Sequence, residues 1–197
     1  MSFSYKKATQ ALNYFARKSG GHINKMKALK LLFFADRFHL RKYGRPITND
    51  EYFAMNYGPV PSGGKDLVDG SDFRPDVEKA YAGQFLNPVN RYDFSSVNDV
   101  ETVVFSKTDQ EALEYAWVKF GQFDEFALAK LTHEYPEWKR HEAALKGETS
   151  SRVKMSFSDF LEDPPAGIDP CHPLDERERS IRREEVQELC VIHNLWN

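Results

Sequence analysis

The run Lys25 to Tyr43, KMKALKLLFFADRFHLRKY, limits what this chain can fold into more than any other stretch. Met26, Leu29, Leu32, Phe33 and Leu40 form one apolar row at helical spacing, and Leu31, Phe34 and Phe38 form a second. A helix that is apolar around most of its circumference has to be buried around most of it. The remaining elements must therefore wrap it, and the Leu31 to Phe34 aromatics and aliphatics belong to the core. Gly44 and Pro46 supply the stop.

The flanking sequence supplies the wrapping. Tyr5, Ala8, Leu12 and Phe15 recur at helical spacing ahead of Gly20 and Gly21. Tyr52 to Tyr57 is rich in strand formers and too short for a stable helix, so it predicts a strand. It runs into MNYGPVPS (Met55 to Ser62), where two prolines hold Gly58 and Val60 extended and predict a stiff, solvated corner. Pro61 suits the first position of a short helix through Lys65 to Val68.

Between Gly70 and Ser106 the short apolar pieces QFLN, RYDF and ETVVF predict one to three short strands. Thr108 and Glu111 have capping-box spacing ahead of Leu113, Ala116, Trp117 and Phe120, a helix that Gly121 ends. A further helix is expected from about Asp124 to His133, stopped by Pro136, and SFSDFLED suggests a short one. The prolines between Asp163 and Leu174 predict a linker-like segment. A charged helix follows, with Val186, Leu189 and Cys190 as a modest apolar stripe, acting as a solvated lid or a docking arm. The expected fold is mainly α within the α+β class: one helical domain, residues 1–161, around a buried central helix with a small antiparallel sheet. Residues 162–197 form a Pro-rich linker and charged helix packed on it or extending from it.

The chain has 197 residues, enough for a core, and no apolar run of the roughly 20 residues that span a bilayer. Its start lacks the apolar stretch of a secretory signal, so cytoplasm is the expected compartment. Cys171 and Cys190 lie outside any metal-binding spacing and are expected as reduced thiols. The net charge of −3 is unevenly spread: Met1 to Arg45 holds eleven Lys or Arg and one acid, Asp36. Such asymmetry means either a nucleic-acid or acidic partner, or two parts of one chain that pack through complementary surfaces.

No nucleotide-binding glycine loop, nucleophile elbow or zinc-protease motif occurs. Asp36 and His39 share a helix face as a metal or proton-transfer pair, or as a polar pair at the helix's wet edge. His133 and Glu134 resemble an acid–base pair, but a histidine at a helix end also satisfies terminal carbonyls. Cys171 and His172 sit in the Pro-rich stretch, where a nucleophile would lack a rigid frame. Lys25, Lys27 and Lys30 are placed to touch phosphates, yet their helix spends its surface on Leu and Phe, which makes sequence-specific DNA binding an unlikely use. No catalytic residue, metal or cofactor is indicated.

Met26 to Ser62, MKALKLLFFADRFHLRKYGRPITNDEYFAMNYGPVPS, resembles the signature of the Panacea, or SocA-like, antitoxin domain. FSKTDQEAL (Phe105 to Leu113) and LTHEYPEW (Leu131 to Trp138) are similar to two further blocks of that family, in the same order. The resemblance implies a mainly helical bacterial or phage antitoxin that neutralises a toxin encoded beside it by direct protein contact, without catalysis. An alternative within the family is an adaptor that delivers the toxin to a AAA+ protease. On this reading Tyr57, Gly58, Pro59, Val60 and Pro61 are the toxin-binding candidates, a preordered surface that loses little freedom on binding. The competing reading of the same five residues is a turn needed only for folding.

Overall fold

The computed structural model describes residues 2–147 and 150–195, with the side chains of residues 189, 190 and 192–195 outside that description. Leu189 and Cys190 of the expected apolar stripe fall there. The chain opens with α1 (Tyr5–Lys18), a short β1 (His22–Asn24) and α2 (Lys25–Tyr43). Asn24 ends the strand and caps the helix: its side-chain oxygen accepts from the Met26 and Lys27 amides at 2.9 and 3.3 Å. Gly44, at φ 75°, closes α2 in the left-handed conformation that glycine adopts without strain.

As its composition requires, α2 is the centre. Phe34 stacks on Phe120 with ring centroids 3.9 Å apart, Phe38 on Tyr115 at 4.3 Å, and Phe33 packs among Tyr52, Tyr135 and Phe160. Each such side chain contributes about 1.5–3 kcal/mol of burial. After α2 come β2 (Tyr52–Met55), β3 (Gly58–Pro61), α3 (Ser62–Asp69), α4 (Asp76–Ala82), β4 (Leu86–Pro88) and β5 (Asp93–Ser96). Then follow α5 (Lys107–Phe120), α6 (Glu125–Thr132), α7 (Pro136–Lys139), α8 (Glu142–Lys146), β6 (Val153–Lys154) and α9 (Glu176–Leu195). The strands form two small antiparallel sheets, ordered β1-β5-β4 and β3-β2-β6. The class is mainly α with an antiparallel component, as expected.

Several local expectations give way to tertiary contacts. The solvated corner is half of a hairpin: Met55 pairs with Gly58 across a two-residue turn, Asn56-Tyr57, and Gly58, Pro59 and Pro61 are buried. Pro61 lies just outside α3 rather than at its first helical position, and Asp50 accepts from the Gly63 and Gly64 amides at 2.8 and 2.7 Å. ETVVF forms a 3-10 turn at Thr102–Val104, and α4 occupies a stretch where only strands were expected. The capping box of α5 sits two residues earlier than Thr108 and Glu111. Ser106 Oγ accepts from Asp109 N at 3.1 Å and Asp109 Oδ2 accepts from Ser106 N at 2.9 Å. Thr108 and Glu111 are drawn away to His39 and Lys42.

The charge asymmetry resolves within the chain. Among the described residues, eight of the eleven early cations pair with carboxylates from later in the sequence, among them Lys7 with Asp109, Lys25 with Asp69, Arg37 with Glu137 and Arg41 with Asp163. Lys27 donates to Gly121 O at 2.7 Å and Lys30 is buried, so the three lysines placed against phosphates are engaged internally.

The segment between Glu162 and Leu174 has no regular structure, as its prolines dictate, yet it lies packed on the second half of α2. The buried Arg41 guanidinium donates to the carbonyls of Phe160 and Glu162 at 3.1 Å, to His172 O at 2.6 Å and to Asp163 Oδ1 at 2.6 Å. Arg37 reaches Glu162 O at 2.7 Å. Cys171 and Leu174 join the core, as does Val186 of α9. Arg182 of α9 donates to Arg41 O and Lys42 O at 3.1 and 2.5 Å, satisfying the last carbonyls of α2. Removing one member of such a buried charged set strands the others, at about 3–5 kcal/mol. Arg41→Ala is therefore expected to lower the unfolding free energy by that amount in urea titration and to expose amides of the Phe160 to Leu174 segment to hydrogen exchange. A loss under about 1 kcal/mol would show that the segment is held by other means.

Candidate functional site

The hairpin turn between β2 and β3 is gripped from below by two side chains of distant origin. Lys30 Nζ donates to Pro59 O at 2.7 Å and Trp138 Nε1 donates to Met55 O at 2.8 Å. His133 in turn stacks on Trp138 with ring centroids 3.7 Å apart. Gly58, at φ 93°, is required here: a Cβ would collide with Thr132 Oγ1 and press on Lys30 Nζ. Tyr57 at the tip is left 63% exposed. The turn is thus a rigid mount for one outward aromatic.

Beside it runs a mostly apolar groove of about 1010 Å³. Its floor carries Met26, Leu29 and Lys30 of α2 and Val60 of β3, while Tyr57, Tyr92 and Phe126 stand on its rim. Tyr92 and Phe126 are 63% and 64% exposed, so three large aromatics from three separate elements border one concavity. Lys25 and Lys65 line it too, both paired with Asp69 at 3.2 and 2.8 Å. Clustered exposed aromatics beside an apolar concavity mark interaction surfaces, whereas scattered ones do not.

A family model for the SocA-like antitoxins, Panacea domain, matches residues 29–139, more than half of the chain. The chain belongs to this family. No curated protein and no solved structure matches it. In this Panacea domain, blocks far apart in sequence meet at the hairpin turn: Lys30 comes from the first, Tyr57 to Pro61 end the same stretch, and His133 and Trp138 come from the last. FSKTDQEAL serves the interior, where Asp109 receives Lys7 at 2.6 Å, Arg45 at 3.3 Å and faces His39 Nε2 at 3.2 Å.

Of the five hairpin candidates, Tyr57 and Val60 line the groove, while Gly58, Pro59 and Pro61 are buried in the support. Tyr92, Phe126 and Arg91 were not singled out as site residues from sequence. Arg91 and Tyr92 share the turn before β5 and Phe126 lies in the first turn of α6, and they become meaningful only once these elements converge on the hairpin.

The candidate chemical pairs are placed differently from their expectation. Asp36 and His39 are fully buried and engage separate partners, which corrects the wet-edge reading. Asp36 accepts from Ile47 N, Thr48 N, Thr48 Oγ1 and Tyr52 OH at 2.7, 3.2, 2.6 and 2.9 Å, and burial raises its pKa against those four bonds. His39 donates from Nδ1 to Arg45 O at 2.7 Å and accepts at Nε2 from Thr108 at 3.0 Å, with burial lowering its pKa. Glu134 pairs with Lys139 at 3.6 Å and His133 stacks on Trp138. Cys171 is a free, buried thiol pushed up to about 12 by burial, a poor nucleophile held in a rigid frame rather than in a loose linker. Among the described residues no group of three or more His, Cys, Asp or Glu is placed to hold a metal, and no helix is long and apolar enough to cross a membrane.

Burial pushes the Lys30 ammonium down to about 7. The unfolded chain, with an ordinary lysine pKa near ~10.4, then binds the extra proton between about pH 7 and 10, so stability rises with pH across that window; below it both states are protonated and the burial cost is complete. The stability of the wild type relative to Lys30→Met should accordingly climb from about pH 6 to about pH 9.5 in urea unfolding. A pH-independent difference would mean that Lys30 titrates alike in both states.

Proposed function

We propose that this protein is an antitoxin that neutralises a cognate toxin, encoded by the neighbouring gene, through direct protein contact at the hairpin and groove. Membership of the antitoxin family supplies the class of activity. The observation that carries the location is the convergence of the family blocks on one turn, which is held by Lys30 and by Trp138, with His133 stacked on Trp138, and presents Tyr57 over an apolar groove. Tyrosines on rigid mounts are typical binding hot spots, because they bury much area at little entropic cost. The five candidate residues divide the work: Tyr57 and Val60 form contact surface, while Gly58, Pro59 and Pro61 hold its shape. Neutralisation then follows from occupancy, as a stoichiometric complex covers or distorts the working surface of the toxin.

Expression of the adjacent reading frame should arrest growth, and co-expression of this chain should restore it. Tyr57→Ala removes an exposed ring, so its unfolding free energy should stay within about 0.5 kcal/mol of wild type. Its affinity for the toxin should fall by about 2 kcal/mol or more, close to thirty-fold, in calorimetry on the purified pair. Unchanged binding by both Tyr57→Ala and Pro59→Ala would remove the hairpin from the interface.

A further inference from the structure

The groove floor contains an ammonium with unused bonding capacity. Lys30 is 1% exposed, and of its three N–H donors one is taken, by Pro59 O at 2.7 Å. No carboxylate pairs with it among the described residues, although buried lysines are rarely left without one. At the rim Arg91 has, among the described residues, only a cation–π contact, with its guanidinium 5.6 Å from the Tyr92 ring centroid. The other two basic side chains of the lining, Lys25 and Lys65, share Asp69.

Among the described residues, none of the acids of the lining pairs with Lys30 or Arg91. Asp69 is doubly paired, and Asp93 accepts from the Asn90 amide at 2.8 Å and the Asn24 amide at 3.5 Å. Glu125 occupies the first turn of α6, where the positive end of the helix favours it. The concavity is therefore apolar in its walls, aromatic at its rim and cationic in its unfilled bonds.

We propose that the groove recognises an acidic–apolar segment of the protein partner, with a carboxylate received by Lys30, the Arg91 guanidinium at the rim favouring its approach, and an adjoining large apolar side chain seated on Met26, Leu29 and Val60. This rests on the docking reading above and adds to it the chemistry of what docks. The carboxylate supplies the acceptors that Lys30 lacks, and at a buried ammonium a charge-assisted pair is stronger than at an open surface. The apolar neighbour supplies the burial.

The test uses the full-length protein and random peptides displayed on phage, with synthetic copies of the enriched sequences measured by fluorescence anisotropy. Wild-type protein should enrich peptides with Asp or Glu next to Leu, Ile, Phe or Trp. Replacing that Glu by Gln in the peptide should weaken binding about tenfold or more, a typical loss when one partner of a buried charged hydrogen bond is removed. Lys30→Met should weaken the Glu peptide by a similar factor and leave the Gln peptide unaffected, so that the two changes are not additive. Arg91→Ala, on a surface side chain, should give a smaller loss of the same kind, and reports even where Lys30→Met folds poorly.

No enriched peptide, enrichment without acidic residues, additive effects of the peptide and Lys30 changes, or displacement of the peptides by single-stranded oligonucleotide would each overturn the proposal. If acid preference is absent but Tyr57→Ala still abolishes rescue in co-expression, this inference fails while the docking site stands. If the enriched peptides bind Tyr57→Ala as tightly as wild type and that variant still rescues, both fail.

Discussion

The structure depends on one electrostatic constraint: α2 is buried all round while carrying Lys30, Asp36, Arg37, His39 and Arg41. A buried polar group without a partner costs more than most single contacts return. Each of the five is therefore an obligation that some other part of the chain must meet. Asp36 draws in the loop from Ile47 to Tyr52, His39 takes Arg45 and the start of α5, and Arg37 and Arg41 collect the carbonyls between Phe160 and His172. The apolar rows make the helix central, and the polar residues between them decide which loop lies where.

Lys30 differs from the other four in how fully it is met. It anchors the hairpin turn by one bond to Pro59 O and retains spare donors at the floor of a groove. The same side chain thus links the scaffold to the surface proposed for the partner. The turn it supports is held again by Trp138, itself backed by the stacked His133, so little freedom is left to lose when Tyr57 is covered. Preorganisation of this kind suits a protein whose work is to hold another molecule.

Much of this was legible from local pattern. The bounds of α1 and α2 follow from apolar periodicity and from Gly44, and β2 follows from its run of strand formers. The proline corner was read as extended but also as solvated, because proline and glycine chemistry reports backbone angles and is silent about cover. The packing that buries Pro59 comes from Lys30, on a helix that precedes it, and from α6 behind it. The capping box of α5 was displaced for a similar reason: Asp109 is favoured over Glu111 by Lys7, Arg45 and His39, none of which is near it in sequence. The site itself was half visible, with Tyr57 and Val60 named and Tyr92, Phe126 and Arg91 missed, since those three reach the groove from the turn before β5 and from α6, both remote from the hairpin in sequence.

By itself the sequence determined that a nearly all-round apolar helix would lie at the centre of a mainly helical fold, and it carried the ordered blocks of an antitoxin family. Periodicity and turn chemistry act over a few residues, so they can be read along the chain. Tertiary structure alone decided which charges are buried and what satisfies them, that Asp36 and His39 serve the interior, and that Lys30 keeps donors free beneath a groove rimmed by aromatics. Those outcomes depend on partners up to more than a hundred residues away, as with Arg41 and the Phe160 carbonyl. A residue's environment at that range is set by how whole elements pack, which no local window of sequence contains.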